Sequence, residues 1–349
     1  MPLSEPGGGG FSSPPNGLII TQFPLKNAGT DAAVSYQAII YDEVSDRLVI
    51  GGDNDYIGEM AGAFSKLNQS AALPASNNTC AGLAVNENDG GILYLDGAFA
   101  LFRSDQAISA WATITPPAVT TRRGVFTLAG DPNIYTLTVN LAGPNRNIEI
   151  SGDNGLTWDS NPGAFAPVSN QPSFLCVSPT RNRVAIGSST TAGVAIAVTA
   201  DPTDPLAWVT FTDPIFAFGN VSAMAFSSDG NRFCATNSVG GIYMGNFQTG
   251  IGAFIPVNAN PFAQNTSAGY GIRYISYIPS MAGFLLMAPT QEVAAFVSDA
   301  DPTVATQGVY TADVGITQSG TGFNPLDAVD GNGNYLGIGA SDRAIVLIQ

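Results

Sequence analysis

The feature that most constrains this 349-residue chain is a recurrence: a short apolar strand, a polar turn and a second apolar strand appear seven times. The first strands fall at 37–41, 82–86, 126–130, 174–178, 223–227, 275–279 and 327–331, so successive starts lie 44 to 52 residues apart. Second strands follow at 48–51, 91–95, 135–139, 184–188, 233–237, 284–288 and 335–339. Apolar runs this short, bounded by Gly, Asn and Asp, read as hairpins, and the Ala and Gly within them suit closely crowded strands. Third strands are expected at 56–60, 98–103, 147–151, 194–199, 241–245, 293–298 and 344–348. Fourth strands carry one bulky marker each, at Phe64, Trp111, Trp158, Trp208, Phe254 and Tyr310, and this class of position takes all three tryptophans of the chain.

A period of this length exceeds ankyrin, tetratricopeptide and leucine-rich units and matches one four-stranded propeller blade. The seventh unit stops at Gln349, directly after its third strand, while a strand at 18–23 has no partner nearby in sequence. Supplying the missing outer strand from the N-terminus would pair otherwise open edges. The expected fold is therefore all-β: a seven-bladed β-propeller of four-stranded antiparallel blades, closed by an N-terminal strand. Its domains would be a Gly/Pro-rich N-terminal arm at 1–15 and a propeller at 16–349. The blades are expected at 36–79, 80–122, 123–172, 173–220, 221–270, 271–322 and 323–349, the last completed by strand 18–23. A β-sandwich pair leaves seven spaced units unexplained, and a solenoid has no need of the N-terminal strand.

Composition narrows the chemistry. Only 11% of residues are charged, and 27 acidic residues against 12 basic ones give a net charge of −15. A surface that tracks phosphates needs the opposite balance, so direct nucleic-acid binding is not expected. The chain has no histidine, which removes imidazole acid–base catalysis, Ser-His-Asp and Cys-His arrangements, and zinc sites built on imidazole. Cys80, Cys176 and Cys234 lie in apolar runs and are expected to be buried free thiols. Residues 1–15 lack the basic and apolar regions of a signal peptide, and no run has the length and apolarity of a transmembrane helix, so membrane insertion is not expected.

The best-kept turn is Ser151-Gly152-Asp153-Asn154-Gly155-Leu156-Thr157-Trp158. Asp153 is placed to accept backbone NH groups, Gly155 to take a backbone conformation other residues avoid, and Trp158 to anchor the next strand. Partial copies are Ser104-Asp105 before Trp111, Thr199-Ala200-Asp201 before Trp208, and Ser298-Asp299-Ala300-Asp301 before Tyr310. The motif resembles the Asp-box, or BNR repeat, of sialidases, related glycoside hydrolases and sortilin-type receptors. In those families the box joins third and fourth strands of a blade, away from the central mouth. The resemblance implies a structural role for Ser151, Asp153, Gly155 and Trp158 and leaves activity open.

A sialidase-like centre would imply three arginines around a carboxylate, a Tyr–Glu nucleophile pair and an acid Asp. However, Arg47, Arg181, Arg183 and Arg232 fall at hairpin turns, where solvated side chains are expected, and the Phe-Arg-Ile-Pro signature of that family is missing. Asp42, Glu43, Asp53, Asp55 and Glu59 supply carboxylates for glycosidase chemistry, yet turn capping accounts for them. No catalytic residue is assigned. No cofactor is expected; the alternative is structural calcium at Asp53-Asn54-Asp55 or Asp330-Gly331-Asn332-Gly333-Asn334, neither of which follows the EF-hand spacing.

The function expected from these features is non-enzymatic: a bacteriophage virion protein of tail or capsid, assembled in the host cytoplasm. Its composition resembles phage capsid and tail proteins, and propellers occur in phage tail nozzles and viral spikes. Its partners would be other virion proteins, contacted partly through the N-terminal arm, with a host glycan or receptor as a further partner. The alternative is a glycoside hydrolase-like or carbohydrate-binding, lectin-like propeller.

Overall fold

The computed structural model describes residues 20–24, 36–42, 45, 47–52, 57–61, 68–69, 80–116, 121–139, 146–161, 172–188, 196–212, 221–237, 240–261, 272, 274–278, 282–288, 293–309, 328–329, 335–339 and 344–348. Within them lie 28 strands in seven four-stranded antiparallel sheets. Sheet 1 is β2 (Tyr36–Asp42), β3 (Arg47–Gly52), β4 (Ile57–Ala61) and β5 (Asn68–Gln69). Sheet 2 is β6 (Cys80–Val85), β7 (Ile92–Asp96), β8 (Leu101–Ser104) and β9 (Trp111–Ile114). Sheet 3 is β10 (Thr121–Phe126), β11 (Ile134–Val139), β12 (Arg146–Ser151) and β13 (Asp159–Asn161). Sheet 4 is β14 (Pro172–Val177), β15 (Val184–Ser188), β16 (Ile196–Thr199) and β17 (Val209–Phe211). Sheet 5 is β18 (Val221–Phe226), β19 (Arg232–Asn237), β20 (Ile242–Asn246) and β21 (Ile251–Phe254). Sheet 6 is β22 (Tyr274–Ile278), β23 (Gly283–Ala288), β24 (Val293–Ser298) and β25 (Thr306–Val309). Sheet 7 is β26 (Ala328–Val329), β27 (Tyr335–Gly339) and β28 (Ala344–Ile348), with β1 (Ile20–Pro24) beside β28.

The expected seven-bladed propeller closed by an N-terminal strand is corrected by these pairings. Among the described residues the structure is an all-β array of open four-stranded sheets, and none of these sheets is closed into a barrel or propeller. The strand-to-strand ladders end within each set of four strands. Strand β1 pairs only along the outer edge of β28, from Ile20 opposite Ile348 to Pro24 opposite Ala344, and so completes one sheet rather than joining two. Neighbouring sheets meet instead through side chains: β2 lies against β6, β6 against β10, β10 against β14, β14 against β18 and β18 against β22, while β22 and β2 each meet β27.

The side-chain alternation of a strand explains this stacking. Successive residues point to opposite faces, and the second strands β7 and β15 are buried at every position. In β7, Ile92 and Tyr94 pack with Val49 of sheet 1, whereas Leu93 and Leu95 pack with Val125 and Ile134 of sheet 3. In β15, Val184 and Ile186 meet Tyr135 and Leu137 of sheet 3, whereas Ala185 joins Phe226 and Phe233 of sheet 5. Cys234 of β19 faces Phe284 and Leu286 of sheet 6. All three cysteines are buried free thiols, and burial pushes the Cys234 thiol well up from its ordinary value. Five first strands share one irregularity, a register shift near their start, at Tyr36/Ala38, Cys80/Gly82, Arg122/Gly124, Pro172/Phe174 and Val221/Ala223. Such bulges add local twist.

Strand β10 departs from the expected 126–130 by starting at Thr121. The polar run Thr121-Arg122-Arg123 reads as a boundary, but Arg122 is buried. Its Nη2 lies 3.3 Å from Glu149 Oε2, and its Nη1 donates to the Phe99 carbonyl of sheet 2 at 3.0 Å. Thr136 Oγ1 donates to the same Glu149 oxygen at 2.9 Å. Removing one partner of such a pair strands the other charge. Glu149→Ala is expected to lower unfolding free energy by about 3–5 kcal/mol, while the double change Arg122→Met with Glu149→Leu recovers most of that loss. Urea unfolding midpoints of the three proteins check both statements.

Candidate interaction face

One end of the molecule is described almost continuously across sheets 2 to 6, where turns between first and second strands meet turns between third and fourth strands. First strands end in, or just before, a short polar residue that caps the hairpin. Asn86 Oδ1 accepts Asn88 N at 3.1 Å, Ser178 Oγ accepts the NH groups of Asn182 and Arg183 at 3.0 Å each, and Ser227 Oγ accepts Arg232 N at 3.0 Å. Asp42 does the same for Ser45 N at 3.3 Å.

The turn 151–158 is held by its own side chains. Ser151 Oγ donates to Asp153 Oδ1 at 2.9 Å and accepts Gly155 N at 2.7 Å. The Asp153 carboxylate accepts Thr157 N at 2.8 Å and Thr157 Oγ1 at 2.5 Å, and Trp158 Nε1 donates to the Gly155 carbonyl at 3.1 Å. Gly155 has φ of 87°, and a Cβ there would also press on Ile114 of sheet 2 at 2.6 Å. Asp105 likewise accepts Ser109 N and Oγ, Asp201 accepts Thr203 N and Oγ1, and Asp301 accepts Thr303 N and Oγ1. The Thr157 hydroxyl and NH hold the Asp153 pKa down at about 2, and the Ser109 and Thr303 hydroxyls lower those of Asp105 and Asp301.

The third-to-fourth turns of sheets 2, 3, 5 and 6 also receive a group from the preceding sheet. Arg47 of β3 pairs with Asp42 at 3.0 Å and donates to the Gln106 carbonyl of sheet 2 at 2.5 Å. Arg103 of β8 donates to the Asn154 carbonyl of sheet 3 at 2.9 Å, while Asn86 and Asn88 donate to Asn154 Oδ1. Arg183, just before β15, lies 4.6 Å over the Phe247 ring of sheet 5. Arg232 of β19 donates to the Asp299 carbonyl of sheet 6 at 3.0 Å and pairs with its carboxylate at 3.2 Å, where Tyr277 OH also donates at 2.7 Å. Burial, then the Asp299 carboxylate, raise the Tyr277 pKa. Arg181, with φ of 52°, reaches back to Glu87, and its carbonyl accepts Ala129 N. The expectation of solvated hairpin arginines is thus corrected: Arg47 is buried, and Arg181, Arg183 and Arg232, though partly exposed, are each engaged by another sheet, through a carboxylate, a ring or a carbonyl within reach of a stacked hairpin.

The aromatic markers divide. Trp111 pairs opposite Ser104 at the start of β9, and Trp158 and Trp208 directly precede β13 and β17. All three pack toward the preceding sheet: Trp111 on the core between sheets 1 and 2, Trp158 between 2 and 3, Trp208 between 3 and 4. Phe254 packs between sheets 4 and 5 but at the far end of β21, opposite Tyr243; the tryptophan register there belongs to Ile251, opposite Asn246. Phe64, Tyr310, the arm 1–15, residues 18–19 and both calcium candidates lie outside the described residues. Among the described residues no group of three or more His, Cys, Asp or Glu is arranged to hold a metal ion, and no helix is long and apolar enough to cross a membrane.

The Asp153 carboxylate gives this face a pH signature. Its pKa in the folded chain, about 2, lies below the ordinary 3.8, so its contribution is fully present above about pH 4 and is lost as pH falls through 2. Asp153→Asn is expected to lower the melting temperature at pH 6, with the gap to the parent narrowing at pH 3. Paired thermal scans at the two pH values check this; a gap independent of pH would contradict it.

No family model and no curated protein matches the chain. Among solved structures, one titled "YCF48 bound to D1 peptide" is similar over 94% of both chains, with a TM-score of 0.65 and 13% sequence identity. At that identity the likeness is one of fold, a propeller-like all-β arrangement.

Proposed function

We propose that this protein is a non-enzymatic assembly or attachment module that holds other proteins against a rigid β scaffold. The observation that carries the reading is the use made of ionised groups on the described face. Arg47, Arg103 and Arg232 bind carbonyls of the next sheet, and Asp105, Asp153, Asp201 and Asp301 bind their own turns. Charges spent on stiffening a surface favour recognition by shape over turnover of a substrate. The similar fold titled as bound to a peptide supports the same use.

In its finer form the proposal places the protein in a bacteriophage virion, in tail or capsid, with the arm 1–15 contacting neighbouring virion proteins and a rim available to a host glycan or receptor. Support for this comes from the sparse charge and the glycine-rich N-terminal stretch. The test is density-gradient fractionation of particles from the source, with quantitation of the full chain, alongside a glycoside hydrolysis screen of the purified protein. Fixed stoichiometry with purified virions and no hydrolysis is the expected outcome. A fixed stoichiometry in a cellular complex would overturn the virion placement alone, and saturable glycoside turnover would overturn the non-enzymatic reading.

A further inference from the structure

The large apolar side chains exposed among the described residues are Leu156 (82%), Leu206 (91%), Ile251 (71%) and Val304 (42%). Singly, such residues are unremarked features of any surface. Here all four fall between the end of the third strand and the first residue of the fourth, on four consecutive sheets, 3 to 6. They share one end of the molecule, because in an antiparallel four-stranded sheet the third-to-fourth turn lies at the same end as the first-to-second hairpin, and three of the four turns are linked to hairpins there. Asn86 and Asn88 reach the turn of Leu156, Arg183 reaches Phe247 before Ile251, and Arg232 reaches Asp299 before Val304. The turns need no apolar residue for their own geometry, since polar groups hold them: Thr157 N and Oγ1 bind Asp153, Leu206 N binds Asp204 Oδ1 at 2.8 Å, and Ile251 N binds Thr249 Oγ1 at 3.3 Å.

We infer that these four side chains are anchors of a docking surface for a basic protein partner with apolar sockets. The inference rests on the assembly function proposed above and adds which face is used and what fits it. Charge selects the occupant. Asp153 stands beside Leu156, Asp201 and Asp204 beside Leu206, and Asp301 beside Val304, while the arginines of the same end are engaged within the molecule: Arg47, Arg103 and Arg232 with backbone carbonyls, Arg181 with Glu87 and Arg183 with the Phe247 ring. A chain of net charge −15 presenting aspartates around apolar points repels a second copy of itself, an anionic lipid surface and nucleic acid, and attracts Lys- and Arg-bearing protein. Anchors mounted on turns already fixed by hydrogen bonds lose little freedom on docking.

The test replaces Leu156, Leu206, Ile251 or Val304, one at a time, with the photo-crosslinker p-benzoylphenylalanine in the full chain within its native assembly. Exposed fourth-strand positions Thr113 and Thr210 serve as controls. Crosslinked peptides are mapped by mass spectrometry. Expected are crosslinks from the four turn positions to one partner, on segments of net positive charge, with none from the controls. The double variant Leu156→Ser with Leu206→Ser is expected to weaken retention of that partner roughly 30-fold, at an unchanged melting temperature. Crosslinks from the controls alone would overturn this surface and leave the assembly function standing. Crosslinks to acidic segments or to a second copy would overturn the occupant. A chain found free of any assembly would overturn the proposed function itself.

Discussion

Burial of second strands on both faces is the constraint on which the structure depends. A strand that alternates Ile92, Leu93, Tyr94 and Leu95 cannot satisfy both of its faces with one neighbour, so it demands a sheet on each side. Each interior sheet is thereby wedged between two others, and the apolar clusters lie between sheets rather than within them. Strand ladders build each open sheet, and hydrophobic packing, joined by polar contacts at the turns, holds one sheet to the next.

Apolar stacking leaves the turns at the described end to be aligned by polar contacts. Arg47, Arg103, Arg183 and Arg232 meet this need with different chemistry, using a carbonyl, a ring or a carboxylate as the next sheet offers it. The interaction lies in a common direction, from one sheet to the third-to-fourth turn of the next. The tryptophans complement it from the opposite side, each turn sending its indole back onto the core shared with the preceding sheet. A rigid end surface results, on which Leu156, Leu206, Ile251 and Val304 remain uncovered.

Much of this was legible in the sequence. The seven strand pairs were recognisable because apolar runs of strand length alternate with capping residues such as Asn86, Ser178 and Ser227, whose hydrogen bonds are local and depend only on nearby sequence. The polar pattern of 151–158 was legible for the same reason. The start of strand β10 is not legible locally, because Arg122 owes its burial to Glu149, 27 residues away. Residue size groups Phe254 with the tryptophans, whereas register is set by pairing with β20, which gives that position to Ile251. The hairpin arginines looked solvated because their acceptors lie on other sheets, 59 residues away for Arg47 and 67 for Arg232.

Sequence by itself determined the all-β class, the repeat and the local turns, since strand alternation and turn capping are short-range properties of a chain. Only the tertiary structure decided that the described sheets remain open and that hairpin arginines bridge from one sheet to another. It alone placed four apolar side chains at one end. The physical reason is the same throughout: these outcomes turn on which surfaces compete for a side chain, and residues far apart in sequence supply those surfaces.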